Sequence, residues 1–484
     1  MITKEILAKY EPTIGIECHV QLKTKTKLFS GADNDARDKA PNTTVSPICF
    51  GLPGTLPVLN REAVNLAIRA GVALNAEIAH VSSFDRKHYF YPDLPKGYQI
   101  TQLERPTVGK GEITVPLKDG SFKVRITRAH IEEDAGKLTH PDGADYSLVD
   151  LNRAGTPLIE IVSEADMHSA EEAKAYVQEL YLLMKSAGVT LGDLYHGNMR
   201  FDVNISIAPK GSTTLGTRAE VKNLNSFRSV ERAAQYEYER QVELVEKGEK
   251  IKQETRGWHD AKQKTFSQRS KEEAMDYRYF PDADLPPIEL NDEQIAKIRA
   301  EVEPTLPATL RTKLSEMGVR QADAETLLLN DALSGLGYVQ TVMGVDKVDA
   351  KFTVNFLVNR LASAGDTEAG LPTVAQFSAV SGMFRDGLLS SNNADLLLME
   401  LRGQADTDAK AVAETKGWIQ ETDTAAIEAI VDEVLADPAS AKAVADIKAG
   451  NDRVIGFLVG QVMKKSQGKA NPAIVSQLIK QRLS

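Results

Sequence analysis

The stretch TIGIECHVQL, residues 13–22, alternates apolar and polar side chains. Ile14, Ile16, Cys18, Val20 and Leu22 fall on one side, and Glu17, His19 and Gln21 on the other. Period-two alternation marks a strand with one face in a core and one face outside it. Same-face neighbours stand ~6.6 Å apart, so Glu17 and His19 can reach a common cation. On this strand alone a solvated polar face is the better explanation, so the other strands must decide.

They repeat the pattern. In MRFDVNISIAP (199–209), Met199, Phe201, Val203, Ile205 and Ile207 share a face, and Arg200, Asp202, Asn204 and Ser206 share the other. In RAEVKNL (218–224), Arg218, Glu220 and Lys222 line up. KVRITRAHI (123–131) and TPLIEIVSE (156–164) also read as strands, and Glu160 is a lone carboxylate inside the apolar run PLIEIV. An unpaired buried carboxylate is costly, so Glu160 needs a cation or a hydrogen-bonding partner. HIEEDAGK (130–137) adds three consecutive acids, Glu132, Glu133 and Asp134. Carboxylates hold Mg²⁺, which bridges phosphates, while Arg and Lys neutralise phosphate oxygens. A sheet with one apolar face and one such mixed face suits a metal–phosphate substrate, and an ordinary polar surface explains the pattern equally well.

Helical spacing appears in 60–78, 169–188 and 226–248; the second opens with Ser169 and Glu172 in capping-box spacing, and the last two stop at Gly188 and Gly248. These helices do not alternate regularly with the strands, so the class is α+β rather than doubly wound. After DYRYFPDADLPP (276–287) nearly every segment reads as helix, with a break near LRGQADTD (401–408). The expected organisation is therefore a mixed domain over 1–293, a helical domain over 294–405 and an all-α tail domain over 406–484.

Bulk properties narrow the class further. The chain has 484 residues, 42% of them hydrophobic, and no apolar run long enough for a membrane helix. Its start lacks a signal-peptide pattern, and two cysteines make no disulfide framework, so the expected compartment is the cytoplasm. Net charge is −10, so any nucleic-acid contact must come from a local patch. One candidate patch is Arg453–Ser484, which has no Asp or Glu, although such a bias alone is more often a solvated face than a binding site. There is no GxxxxGK[ST] loop and no GxGxxG fingerprint. Cys18 lies on the apolar face of its strand and Cys49 in a loop, which makes neither a good nucleophile.

Seven motifs together point to a family. GIECHVQLKTKTKLFSG (15–31), FDRKHYFYPDLPKGYQITQ (84–102), HIEEDAGK (130–137), LVDLNRAGTPLIEIVSE (148–164), EVKNLNSF (220–227), DYRYFPD (276–282) and GFLVGQVMKKSQGKANP (456–472) resemble, in order, the B subunits of the aspartyl/glutamyl-tRNA amidotransferases. The resemblance implies a cradle-like α+β catalytic domain of the glutamine synthetase and guanidino kinase type, which binds ATP and Mg²⁺. That domain would phosphorylate the side-chain carboxylate of Glu or Asp mischarged onto tRNA(Gln) or tRNA(Asn), and ammonia would then displace phosphate. It implies a heterotrimer in which an A subunit releases the ammonia from glutamine and a small C subunit straps the other two together. The helical and tail domains would hold the tRNA.

Position by position, the family's metal ligands fall on His19, on the pair Glu132/Glu133 and on Glu160, with Glu17 nearby; the implied catalytic set is Glu17, His19, Glu133 and Glu160. Strand parity puts Glu132 with Arg128 and His130 on the polar face, whereas alignment to the family favours Glu133, and a strand end or bulge near Asp134 would settle it either way. Lys87, His88 and Tyr91 border the site in the family, and Arg200, Asp202 and Lys222 are candidates for the nucleotide.

Two departures stand out. Members with an early zinc knuckle carry cysteines where this chain has Ser30, Ala32, Ser46 and Cys49, and one thiol cannot make a tetrahedral zinc site. Asn198 and Phe201 replace a common Ser and Cys. A non-catalytic tRNA-binding scaffold of the same fold is the alternative function, but it would lose its costly carboxylates first, and all of them are present. An archaeal relative specific for Glu-tRNA(Gln) carries an extra synthetase-like insertion, for which this chain has no spare domain.

Overall fold

The computed structural model describes residues 3–270, 276–329, 350–361, 370–420, 424–449, 454–466 and 469–483. The chain divides into two units, Met1–Leu310 and Arg311–Ser484.

Eleven strands of the first unit build and flank the site. They are β1 (Tyr10–Gln21), β2 (Asp85–His88), β3 (Tyr98–Thr101), β4 (Gly111–Leu117), β5 (Gly120–Glu133), β6 (Pro157–Ser163), β7 (Met199–Pro209), β8 (Ala219–Leu224), β9 (Glu254–His259), β10 (Lys264–Ser270) and β11 (Phe280–Pro281). Eight of them form one sheet in the order β10-β9-β8-β7-β1-β6-β5-β4. Every junction is antiparallel except β8–β9. β11, β2 and β3 form a separate small sheet. The dominance of antiparallel pairing agrees with the α+β expectation.

The alternation seen in the sequence is the burial pattern of the sheet. Ile14, Ile16, Cys18 and Val20 of β1, Ile159 and Ile161 of β6, and Phe201, Val203 and Ile205 of β7 are all buried. Helices α1 (Arg61–Ala73), α2 (Ala170–Ser186) and α3 (Phe227–Glu246) cover that face: α3 packs on β7 and β8, α2 on α3 and β4, and α1 on β5. Phe201 is fully buried, with its ring 6.4 Å from that of Phe227 at the start of α3.

The helix ends follow local chemistry. Ser169 caps α2 by accepting from the Glu172 N–H, but Glu172 accepts from the His168 N–H instead of closing the box on Ser169. Ser226 and Ser229 make the reciprocal box on α3. Gly188 and Gly248 end the two helices at φ +70 and +74, a left-handed turn that glycine adopts most readily. Helix α4 (Asp292–Val302) packs on α1 and so belongs with the first unit.

The described part of the second unit is helical and has two cores. One gathers Leu327, Phe352, Phe377 and Leu397, and includes Ala409 and Ala413 just after the LRGQADTD turn. The other gathers Val431, Leu458, Val475 and Ile479. Residues 330–344 and 362–365, read as helix from the sequence, and Arg453 of the basic stretch lie outside the described residues. Within that stretch, Arg482 pairs with Glu428 and Asp432, and Lys465 pairs with Glu433. Among the described residues no helix is long and apolar enough to cross a membrane.

Candidate active site

The polar face of the large sheet carries a row of ionisable groups set by strand register. His19 of β1 is opposite Glu160 of β6, and Glu160 is opposite His130 of β5. On the other side of β1, Glu17 is opposite Asp202 and His19 opposite Arg200. Two clusters result. In the first, ligand atoms of His19, Glu132 and Glu160 lie within 4.8 Å of one another. In the second, those of Glu17, Asp202 and Glu220 do the same.

In the first cluster His19 Nε2 is 3.7 Å from both Glu132 Oε1 and Glu160 Oε2. Below them the buried His130 brings Nε2 to 3.1 Å from Glu160 Oε2 and 3.6 Å from Glu132 Oε2. Burial alone would push His130 down; hydrogen bonds to Glu132 and Glu160 outweigh it and raise the imidazole to about 9. Burial would push Glu160 up, but the His130 hydrogen bond and the charges of His130, His19 and Lys87 hold its carboxyl well below the ordinary range. Glu160 thus has the partners that its apolar surroundings demand.

Lys87 reaches the same cluster from β2 of the small sheet, with Nζ 4.8 Å from the centre of the Tyr277 ring. Burial lowers its pKa, and Glu132, Tyr279 and Glu160 more than reverse that.

The second cluster owes its shape to a bulge. Where β7 has Asp202, β8 has both Lys222 and Asn223, and Asn223 turns to φ +61. The bulge aims the Asn223 N–H at Asp202 Oδ1 (2.9 Å) and lets Lys222 Nζ reach both Asp202 (3.1 Å) and Glu220 (2.9 Å). Burial and the charges of Glu160 and Glu220 push Glu17 up, while Asn204 donates to it at 3.0 Å. Arg200 is held by Asp134 at 2.9 Å.

The structure does not bring every candidate together. The register shift in β5 lies between Ile126 and Arg128, upstream of the acids. Parity therefore runs unbroken to the strand end and sends Glu132 to the polar face and Glu133 away from it. The Glu133 carboxylate is taken by Lys96 and by the Ile100 N–H. His88, one residue from Lys87, turns away to stack on Phe280 and meet the Arg278 carbonyl. Tyr91 is in a loop and 56% exposed.

Sequence reasoning passes over Lys96, which has no periodic signal. It places His130 and Glu220 on the correct face but without a role; the signal is that each shares a face with an assigned acid or base.

The loop where the zinc cysteines are missing contains a different cation. Lys27 is 1% exposed, and its ammonium donates to the Ala154 carbonyl (2.7 Å) and the Leu151 carbonyl (3.4 Å), beside Cys49 Sγ at 3.5 Å. Ser46 Oγ is 3.3 Å from the same sulfur. A lysine thus sits beside the one remaining thiol and ties residues 46–49 to 151–154.

Comparison with known proteins agrees with this picture. A family model described as the GatB/GatE catalytic domain matches residues 12–296, and one described as a GatB domain matches 339–483. The aspartyl/glutamyl-tRNA(Asn/Gln) amidotransferase B subunit of Synechococcus sp. (strain JA-2-3B'a(2-13)) is 45% identical over 487 residues, covering 98% of each chain. Its counterpart in Azotobacter vinelandii is 44% identical, covering 98% of this chain and 99% of its own. That of Thioalkalivibrio sulfidiphilus is 45% identical, covering 98% of this chain and 100% of its own.

Proposed function

Because the chain belongs to the family of aspartyl/glutamyl-tRNA(Asn/Gln) amidotransferase B subunits, we propose that its polar sheet face activates and amidates the acidic side chain of a mischarged aminoacyl-tRNA. The substrates are Glu-tRNA(Gln), Asp-tRNA(Asn) or both. The side-chain carboxylate attacks the γ-phosphate of ATP and releases ADP. Ammonia then attacks the resulting acyl phosphate, phosphate leaves, and the amide remains after a proton is lost. The partners in this reading are an A subunit that frees ammonia from glutamine and a small C subunit. The face serves as the cradle of a glutamine synthetase or guanidino kinase type of fold.

The observation that carries the reading is the convergence of His19, Glu132 and Glu160 within 4.8 Å. Two carboxylates and an imidazole fit a divalent cation, and the oxygen-rich set suits Mg²⁺. Such a cation, when bound, neutralises phosphate charge and fixes the line of transfer. The chain's own residues do the rest. His130 holds the two carboxylates in place from below, as outer partners of metal ligands do. Lys87 and Arg200 offer fixed positive charge to an anionic substrate, and Lys222 offers it beside Glu17, Asp202 and Glu220 on the nucleotide side. Cys18, buried among apolar side chains, is not placed to act as a glutaminase nucleophile in this scheme.

The test is conversion of Glu-tRNA to Gln-tRNA by the assembled complex, with ATP consumed in proportion to amide formed. Conversion that needs no ATP, or persists after chelation of divalent cations, would remove this reading.

A further inference from the structure

Outside the sheet face the fold seats a thiol against an amine. Lys27 Nζ donates to Cys49 Sγ at 3.5 Å, across 22 positions of chain, and both residues are buried. The same ammonium donates to the Ala154 carbonyl at 2.7 Å and the Leu151 carbonyl at 3.4 Å, which fixes it against the sulfur. Ser46 Oγ stands 3.3 Å from that sulfur. A cation beside a sulfur favours the thiolate, the form that oxidants attack. No step of the amidation chemistry uses either residue.

The amine is poised between opposing effects. Burial pushes Lys27 down from its ordinary value, and the charge and hydrogen bond of Cys49 are the main pull back up. Oxidising the sulfur to a neutral group removes that pull and leaves burial to strip the proton. A neutral amine then faces an electrophilic sulfur.

The packing leaves room for the intermediate. Lys27, Cys49, Lys96, Glu133 and Gly155 line a cavity of about 10 Å³, space for a single oxygen-sized occupant. At Gly155 a Cβ would lie 3.5 Å from the Lys27 side chain, and 3.9 Å from both Cys49 Sγ and Glu133 Oε2. A side chain there would fill the gap beside the sulfur, and glycine keeps it open.

We propose that Lys27 and Cys49 form a covalent sulfenamide link when the chain meets a peroxide. In the first step the Cys49 thiolate attacks the O–O bond of hydrogen peroxide. One oxygen stays on sulfur as S–OH, and the other leaves as hydroxide and takes up a proton to become water. Sulfur loses two electrons, and the peroxide gains them. In the second step the neutral Lys27 amine attacks that sulfur. The S–N bond forms, the S–O bond breaks, and the departing hydroxide leaves as water with one amine proton. Thiol, amine and one peroxide thus give the sulfenamide and two waters. The S–OH oxygen occupies the small cavity between the steps. An external dithiol reverses the link: it cleaves S–N, returns the thiol and the amine, and becomes a disulfide. None of this draws on the function proposed above.

The experiment treats the full chain with a few equivalents of hydrogen peroxide, digests it without reductant and maps the peptides by mass spectrometry. One species should join the peptides that carry Lys27 and Cys49, lighter than their sum by two hydrogens, and dithiothreitol should abolish it. Titration after denaturation should find the two thiols of the chain reduced to one, and dithiothreitol should restore the second. The surviving thiol should be Cys18, fully buried on the apolar face of β1. Cys49→Ala should give no joined species and keep its single thiol through the treatment. In Lys27→Arg the guanidinium keeps the charge but is a poor nucleophile, so Cys49 should stop at the sulfenic acid and be captured by dimedone. The wild-type map decides even if that variant fails to fold. Recovery of Cys49 as free thiol, or as sulfinic or sulfonic acid with the Lys27 peptide unchanged, would overturn the proposal. A joined species that retains the oxygen would refute the condensation step.

Discussion

Glu160→Gln is the most direct probe of the sheet face. The change nearly preserves volume, and the amide oxygen can still accept from His130 Nε2, now 3.1 Å from Glu160 Oε2. The fold should therefore survive. What is lost is one of the two negative charges in the first cluster. Its ligand atoms lie within 4.8 Å of one another, so a cation among them sits at or inside ~3 Å of each. At 4 Å, unit charges interact by about 4 kcal/mol under an effective dielectric of ~20. Glu160 is largely shielded from solvent, so little of this is screened away. Losing one preorganised electrostatic contact of this kind costs ~3–4 kcal/mol of transition-state stabilisation, or ~10²- to 10³-fold in rate. The assay is ATP-dependent conversion of Glu-tRNA to Gln-tRNA, run with glutamine and again with excess ammonium. The variant complex should assemble, bind mischarged tRNA and keep glutamine hydrolysis, yet fail to amidate with either donor. Rescue by ammonium would move Glu160 from phosphoryl transfer to ammonia delivery. Full activity with both donors would make it a structural carboxylate.

Other outcomes follow from the same structure. Glu237 is fully buried and holds Arg240 at 2.8 Å and Arg256 at 3.0 Å, so Glu237→Ala should cost ~3–5 kcal/mol in denaturant unfolding, and an unchanged midpoint would show the arginines repairing themselves. Elemental analysis of the purified chain should find no stoichiometric zinc, because Lys27 occupies the neighbourhood of Cys49; one zinc per chain would contradict that assignment. Deleting 406–484 should weaken tRNA binding and flatten its salt dependence. The flattening should be small, since Arg482 and Lys465 are already paired with acids of the same unit, and undiminished affinity would return the stretch to an ordinary solvated face.

The strand face was legible because its signal is local. Period-two alternation in 13–22 and 199–207 alone separates Glu17, His19, Arg200 and Asp202 from the core, and the structure keeps that division. Parity also puts Glu132, and not Glu133, on that face, because the irregularity in β5 lies upstream at 126–128 rather than near Asp134. Register was not legible. Nothing in the sequence says that Glu160 pairs with both His19 and His130, since those contacts join residues more than a hundred positions apart or bridge separate strands. The bulge at Lys222–Asn223 was equally hidden, although an asparagine there tolerates the left-handed turn. Lys96 and Lys27 lie in irregular segments, where no periodicity distinguishes a buried cation from a surface one.

Lys27 has one more consequence, for how the chain matures. A loop pinned by a metal waits for that metal, so its closure depends on ion supply and can be undone by a chelator. An ammonium carried on the side chain arrives with synthesis, one per molecule. If elemental analysis finds the chain free of zinc, residues 46–49 close onto 151–154 at a pace set by folding alone, whatever the cell's trace-element status.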